Sequence, residues 1–434
     1  MIRKGLIRML HIALIPILCG TIGLILLTLA FFLPTGRIRE HVEASVSTLY
    51  DEGVYHSVTP KLAGTQLDNF TEALYLNQAL VSVQDAPIAD CVLEGYQFEP
   101  PATEEYQDPV MKLSMILEDP EGAALVNENK RFFNGYTVVM KILLELTHYS
   151  GIRQINLYLA LGLFLGLLWG MIRRGMQRQI MAVTVSLLLV HPVSMALNMA
   201  SFGFYICMTV PCIAMLWMRR ETLEKKAWML FGITGAVTYF FNMNFIPLLS
   251  FGVPAVFYFL ITGIREKPLK TIGKAGELFF TWIVGLCGMM VFKWIAYAIT
   301  KDPKVFGEMI DQFLFRSGVS EGSRTDAILR NISIAFENRW WNLLEMLFII
   351  GTVIWRIRRK EKFFFSVSET LLLAVMILLP LGRYFILSNH VLVHGWTTYR
   401  LLLIPVLSFN LMLSKTSQPC GDNQSFSEKN QKPI

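Results

Sequence analysis

The feature that most constrains this chain is a series of apolar runs, separated by short clusters of Arg and Lys. A helical run of about 20 apolar residues is long enough to cross the hydrocarbon core of a bilayer. The composition agrees. Hydrophobic residues make up 53 % of the chain and charged residues 17 %, where a soluble domain carries about 25 % charge. The fold class expected is therefore all-α and polytopic.

The net charge of +6 hides an asymmetry. Residues 35–130 hold seventeen acidic and five basic side chains, a balance of −12, which leaves +18 on the rest. The basic residues outside that segment lie in short clusters between apolar runs rather than in one contiguous patch. This argues for membrane topology and against a nucleic-acid partner. Of the six cysteines, Cys91 alone lies in the acidic segment, and no CxxC pair suggests a zinc or redox site.

The first apolar run, from about Leu10 to Phe32, follows Arg3, Lys4 and Arg8 and ends at Pro34. It is longer than the core of a cleaved signal peptide, so residues 1–34 read as an anchor helix with a cytoplasmic N-terminus. Residues 35–154 form a large extracytoplasmic segment. Short helices are expected near 38–52 and 69–82, and residues 95–110 read as an irregular loop. The 131–149 stretch is broken by Asn134, Lys141, Glu145 and His148, and reads as interfacial. If it does not cross, nine further spans follow, near 155–172, 179–197, 202–218, 227–242, 244–263, 276–299, 341–355, 367–387 and 398–414. The clusters at 173–178, 219–226, 265–274 and 356–362 then share the side of the N-terminus, as the positive-inside rule requires. This gives about ten transmembrane helices. They fall into a block at 155–299, an extracytoplasmic loop at 300–340 with six acidic and six basic residues, and a block at 341–414. Residues 415–434 read as a disordered cytoplasmic tail. The expected location is the cell membrane, with both termini cytoplasmic.

This topology puts most of the unusual polar residues on the outer side. Asp68, Asn69 and Glu72 lie in the first outer segment. Asp68 or Asn69 can cap a helix, with Glu72 completing an Asn-x-x-Glu box. Arg131, Asn134 and Tyr136 form a second group; Arg131 either anchors at the interface or pairs with phosphate oxygens. Arg153 and Asn156 lie at the mouth of the next span. His191, Asn198, Asn242 and Asn244 flank short outer turns. His390, His394, Tyr399 and Arg400 form the last group. Two histidines four apart can share a helix face, but no HExxH glutamate accompanies them and Gly395 argues for a loop, so no metal is assigned. Asn338-Arg339-Trp340-Trp341 reads as an aromatic belt, and Lys293 as a charge within a span that snorkels to the boundary.

The layout of a cytoplasmic N-terminus, one span, a large outer segment with an early acid, and then a block of spans resembles the GT-C glycosyltransferases. It also resembles multi-span proteins of Gram-positive bacteria, some of which are placed near that family. The resemblance implies transfer of a sugar from a polyprenyl-phosphate carrier to an envelope glycan or lipid acceptor on the outer face. It makes Asp68 the matching base, with Glu40 and Glu43 as substitutes. The family's paired acids are here Asp68-Asn69, which leaves a divalent metal open as cofactor. On this reading Asp68 takes the proton, and Arg131 and Arg400 contact phosphate with help from His390 and His394. Asn69, Asn134, Tyr136 and Tyr399 complete the substrate site. A transporter or flippase of lipid-linked glycans and a non-catalytic envelope-assembly protein are the alternatives.

Overall fold

A computed structural model describes residues 2–415, apart from 103–106, 128–129, 242–245, 265–266, 319–321 and 362–364, with backbone alone for 2–6. The expected tail, Asn242 and Asn244 therefore lie outside the described residues. The fold is 77 % helix and 2 % strand. Seven segments are long and apolar enough to cross a membrane.

The chain begins with α1 (Ile2–Phe31), whose apolar part starts at Ile7. A polar subassembly follows: α2 (Gly36–Glu52), α3 (Asn69–Leu80), α4 (Ile88–Glu94), strand β1 (Gln97–Glu99), α5 (Pro109–Glu118), strand β2 (Ala124–Val126) and α6 (Tyr136–Leu144). Helix α2 is amphipathic and buries Ile38, Val42, Val46 and Leu49 at helical spacing. These meet Leu76, Val110, Leu113, Met140 and Ile152 in one apolar cluster. β1 and β2 pair antiparallel, with Phe98 opposite Leu125, so residues 95–110 are not wholly irregular. Asn77 fixes this ribbon to α3 by exchanging hydrogen bonds with the Phe98 backbone, both at 2.8 Å. Helix α6 has nine residues, about 14 Å at 1.5 Å per residue, and is too short to cross.

The remaining elements are α7 (Tyr149–Arg173), α8 (Gln177–Leu188), α9 (Pro192–Ala196), α10 (Met199–Trp217), α11 (Arg220–Phe240), α12 (Leu249–Thr262), α13 (Pro268–Thr300), α14 (Val305–Ser317), α15 (Arg324–Ala335), α16 (Arg339–Arg358), α17 (Val367–Ile386), α18 (Ser388–Val393), α19 (Gly395–Thr398) and α20 (Leu403–Ser414). The seven long apolar segments are α1, α7, α10, α13, α16, α17 and the run Gly395–Ser414. The 179–197 stretch is not one helix. It breaks at His191, which has φ 51° and is followed by Pro192. Residues 388–398 are two short helices rather than a loop.

Helices α11 and α13 cross at backbone contact. A Cβ on Gly235 would stand 2.1 Å from the Trp282 carbonyl oxygen, and one on Gly285 2.0 Å from that of Gly232. Small residues at such a crossing let two apolar helices approach closely. Lys293 of α13 does not snorkel. It is fully buried and donates to the carbonyls of Val92 (3.1 Å) and Leu93 (2.8 Å), which ties α4 to the bundle.

Candidate functional site

Asp68 is the N-cap of α3. Its carboxylate accepts from the Thr71 amide (3.0 Å) and the Thr71 hydroxyl (2.6 Å). Burial raises its pKa, against those two hydrogen bonds. Asn69 is the first residue of the helix, not its cap, so the Asn-x-x-Glu box does not form. Its amide donates to Glu52 (3.0 Å) and the Gly53 carbonyl (2.8 Å), and accepts from Arg153 (3.1 Å). Arg153 in turn grips both oxygens of Glu52, at 2.6 and 2.9 Å. Burial alone would raise the Glu52 pKa, but the Arg153 fork outweighs it and the pKa is lowered. Asn69 thus joins the ends of α2, α3 and α7.

Glu72, four residues after Asp68, turns inward. It is fully buried and accepts from the Tyr149 hydroxyl and from the Ala200 amide (3.1 Å). Burial is the main cause that pushes its pKa up to about 7. Tyr136 is buried as well. Its hydroxyl donates to Gln78, and its ring stacks on Tyr75 with centroids 3.4 Å apart. Asn134, at φ 55°, makes the turn into Gly135. The Gly135 amide donates to the Phe240 carbonyl at 2.9 Å, and a Cβ there would stand 2.6 Å from that oxygen. This close approach seats the 131–136 stretch on α11.

Arg131 is held through its backbone. Its carbonyl accepts from the Tyr239 hydroxyl (3.0 Å) and the Trp294 indole (3.1 Å). Its guanidinium lies over Phe132 and acts electrostatically on Arg316 of α14. Arg316 is brought there because Asn389 and Ser388 hydrogen-bond the Phe315 and Gly318 carbonyls, between 3.0 and 3.2 Å. The His390 and His394 rings lie 4.7 Å apart. Burial, then Arg383 and the other cations, holds the His390 pKa well down; burial and Arg316 hold His394 near 4. Arg316 thus lies within electrostatic reach of Arg131, Arg383, His390 and His394. Among the described residues no group of three or more His, Cys, Asp or Glu side chains is arranged to hold a metal ion.

Arg383 also lines an open apolar groove of about 510 Å³ between α13 and α17, with Phe279, Trp282, Leu286, Val375 and Leu379. From the histidines an aromatic path leads to α3. The His394 ring lies 6.4 Å from Trp396, Trp396 lies 6.1 Å from Tyr55, and Tyr55 stacks on Phe70 at 6.5 Å. Phe70 is two residues from Asp68. Tyr399 and Arg400 stand behind this path. Both are fully buried, and both donate to the Gly64 carbonyl (3.1 and 3.2 Å). Arg400 further donates to the Val190 carbonyl, Ser201 and Thr397, so its visible role is to clamp the 63–65 turn.

His390 and His394 pack together, and ring contacts lead from His394 to Phe70, two residues from Asp68, while Arg131 acts on Arg316. Asn69, Asn134, Tyr136, Tyr399 and Arg400 are spent on protein contacts. Arg316, Arg383 and Glu72 were not selected as site residues from sequence. Arg383 carried a usable signal, since an ionisable residue inside an apolar run is a functional candidate. Comparison with protein-family models, curated proteins and solved structures yields no match, so the chemistry rests on this geometry.

Proposed function

We propose that the chain is a ten-span membrane glycosyltransferase that takes a sugar from a polyprenyl-phosphate carrier at the face remote from its N-terminus. The observation that carries this reading is the double membership of Arg383, in an apolar groove open at the bundle side and in a cluster of cations. A phosphate on a long hydrocarbon chain has the two parts such a place suits. The groove takes the chain, and Arg383, Arg316 and Arg131 take the phosphate. The sugar lies along Trp396, Tyr55 and Phe70, whose ring faces suit its C–H surface. The acceptor hydroxyl oxygen bonds to the anomeric carbon as the bond from that carbon to the phosphate oxygen breaks. The electron pair leaves on the phosphate, where the arginines stabilise it. The hydroxyl proton passes to Asp68, whose burial makes it a better base than a solvated aspartate. The broken α8–α9 segment, α11 and α12, with the seven longer segments, supply the ten crossings.

The test is sugar transfer by purified protein in vesicles, with a panel of radiolabelled polyprenyl-phosphate sugars. Asp68→Asn keeps a good N-cap and should cut kcat by about 10²- to 10⁴-fold while donor still binds. Arg383→Ala should raise the donor KM about 10- to 100-fold, the value of a charge-assisted hydrogen bond. Full transfer by folded Asp68→Asn removes the base. Unchanged donor KM in Arg383→Ala removes the phosphate site.

A further inference from the structure

At the opposite end of the bundle, the one that holds the N-terminus, two cavities adjoin. The first has a volume of about 630 Å³ and is lined by Arg220, Lys270, Lys274, Glu224 and Glu277, with Thr262 and Thr271 between them. Its two acids are engaged. Glu224 pairs with Arg220 at 2.9 Å, and Glu277 with both Arg8 and Lys274. The three lining bases, with Arg8 on Glu277 from outside the lining, thus stand against two carboxylates, a local excess of two positive charges. Lys270 is exposed and makes no ion pair among the described residues.

The second cavity, about 250 Å³, is an apolar slot between α12, α17 and α20, lined by Val256, Leu260, Leu372, Leu373, Leu411 and Met412. Its one charged pair, Glu369 with Lys415, is internally neutralised. Phe259, Gly263 and Ile264 line both cavities. A cation-lined chamber and an apolar slot therefore share one wall, at the last turn of α12, a helix too apolar to face water.

We propose that chamber and slot together hold one anionic phospholipid, with its phosphate among Arg220, Lys270 and Lys274 and an acyl chain along Leu260, Leu373 and Met412. The excess of positive charge selects an anionic headgroup over a zwitterionic one. The slot's lining selects an acyl chain over a free anion. This site is independent of the glycosyltransferase reading. It lies at the other membrane face and shares no residue with the cluster around Arg316.

The experiment measures thermal unfolding of the full chain in detergent while phosphatidylglycerol, phosphatidylcholine or inorganic phosphate is titrated in. A ligand that binds the folded state alone raises Tm with concentration. Phosphatidylglycerol should stabilise at concentrations at least tenfold below phosphatidylcholine. The double variant Lys270→Ala/Lys274→Ala should weaken that response at least tenfold. Leu373→Trp, which fills the slot and leaves the chamber intact, should weaken it as well. Equal responses to the two lipids overturn the proposal, as does a double variant with the normal response. Inorganic phosphate that matches phosphatidylglycerol and is indifferent to Leu373→Trp overturns the lipid in favour of a free anion.

Discussion

Asp68 and Glu72 stand one helical turn apart on α3, and burial separates their roles. Asp68 caps the helix beside the aromatic path, while Glu72 is sealed against Tyr149 and the Ala200 amide. The carboxyl of Glu72 holds its proton up to about pH 7 in the folded state, against 4.5 for the free group. The folded state thus binds more protons than the unfolded chain between those values. Its stabilising contribution is complete below pH 4.5 and is lost as pH rises to 7, by about 3 kcal/mol. Glu72→Gln keeps one oxygen to accept from the Ala200 amide, turns its NH2 group to the Tyr149 hydroxyl oxygen, which can accept, and removes the titration. Between pH 5 and pH 8 its Tm should fall less than that of the wild type, measured in detergent. Parallel curves for the two proteins would show that Glu72 does not titrate in this range. The sequence could not separate the two acids, because Asp68 and Asn69 are both good caps. A shift of the cap by one residue decides whether the acid that follows closes a box or turns to the interior. Arg316 was hidden for another reason: it lies in a segment of balanced charge, and only the docking of α18 on the end of α14 aims it at the histidines.

At the scale of elements, helix positions were legible where one face is apolar or a cap is explicit. The expected 38–52 helix is α2 and the expected 69–82 helix is α3, each within two residues at either end. The nine-residue α6 is too short to cross a bilayer. What hydropathy could not give is where an apolar run breaks or how two runs cross. His191-Pro192 ends a helix inside a run that reads as continuous, since a local φ of 51° leaves no trace in composition. The α11–α13 crossing is equally silent, as glycine is common in membrane helices. It can be tested on a single helix. Gly276 and Gly285 both lie on α13, but a Cβ at Gly276 meets open space, while one at Gly285 meets the Gly232 carbonyl. Gly276→Ala should be neutral or stabilising by up to about 1 kcal/mol. Gly285→Ala should destabilise by about 1–3 kcal/mol through overpacking. Equal Tm values for the two variants would mean that the helices do not touch there.

Across the whole molecule, charge is sorted by end. Arg8 and Glu277 pair at the end of the bundle where α1 and α13 start. The same end collects Arg174, which hydrogen-bonds the Met215 and Leu216 carbonyls, and Arg356, which donates to that of Leu413. The acidic subassembly caps the other end, where Tyr149 and Phe240 meet the 36–145 helices. The sequence carried this polarity in its Arg and Lys clusters, because insertion reads charge locally and needs no knowledge of packing. The positive-inside rule predicts an orientation from this polarity: the basic end in the cytoplasm and the caged acids of α2 and α3 outside. Tyr50 is 63 % exposed on the acidic side, and Lys360 is exposed at the basic end after α16. In intact cells a membrane-impermeant maleimide should label Tyr50→Cys and spare Lys360→Cys; permeabilised cells should label both. A reversed pattern would place Asp68 and the cationic cluster in the cytoplasm. An extracytoplasmic lipid-linked donor could not then reach them, and the proposed transfer would fail with the topology.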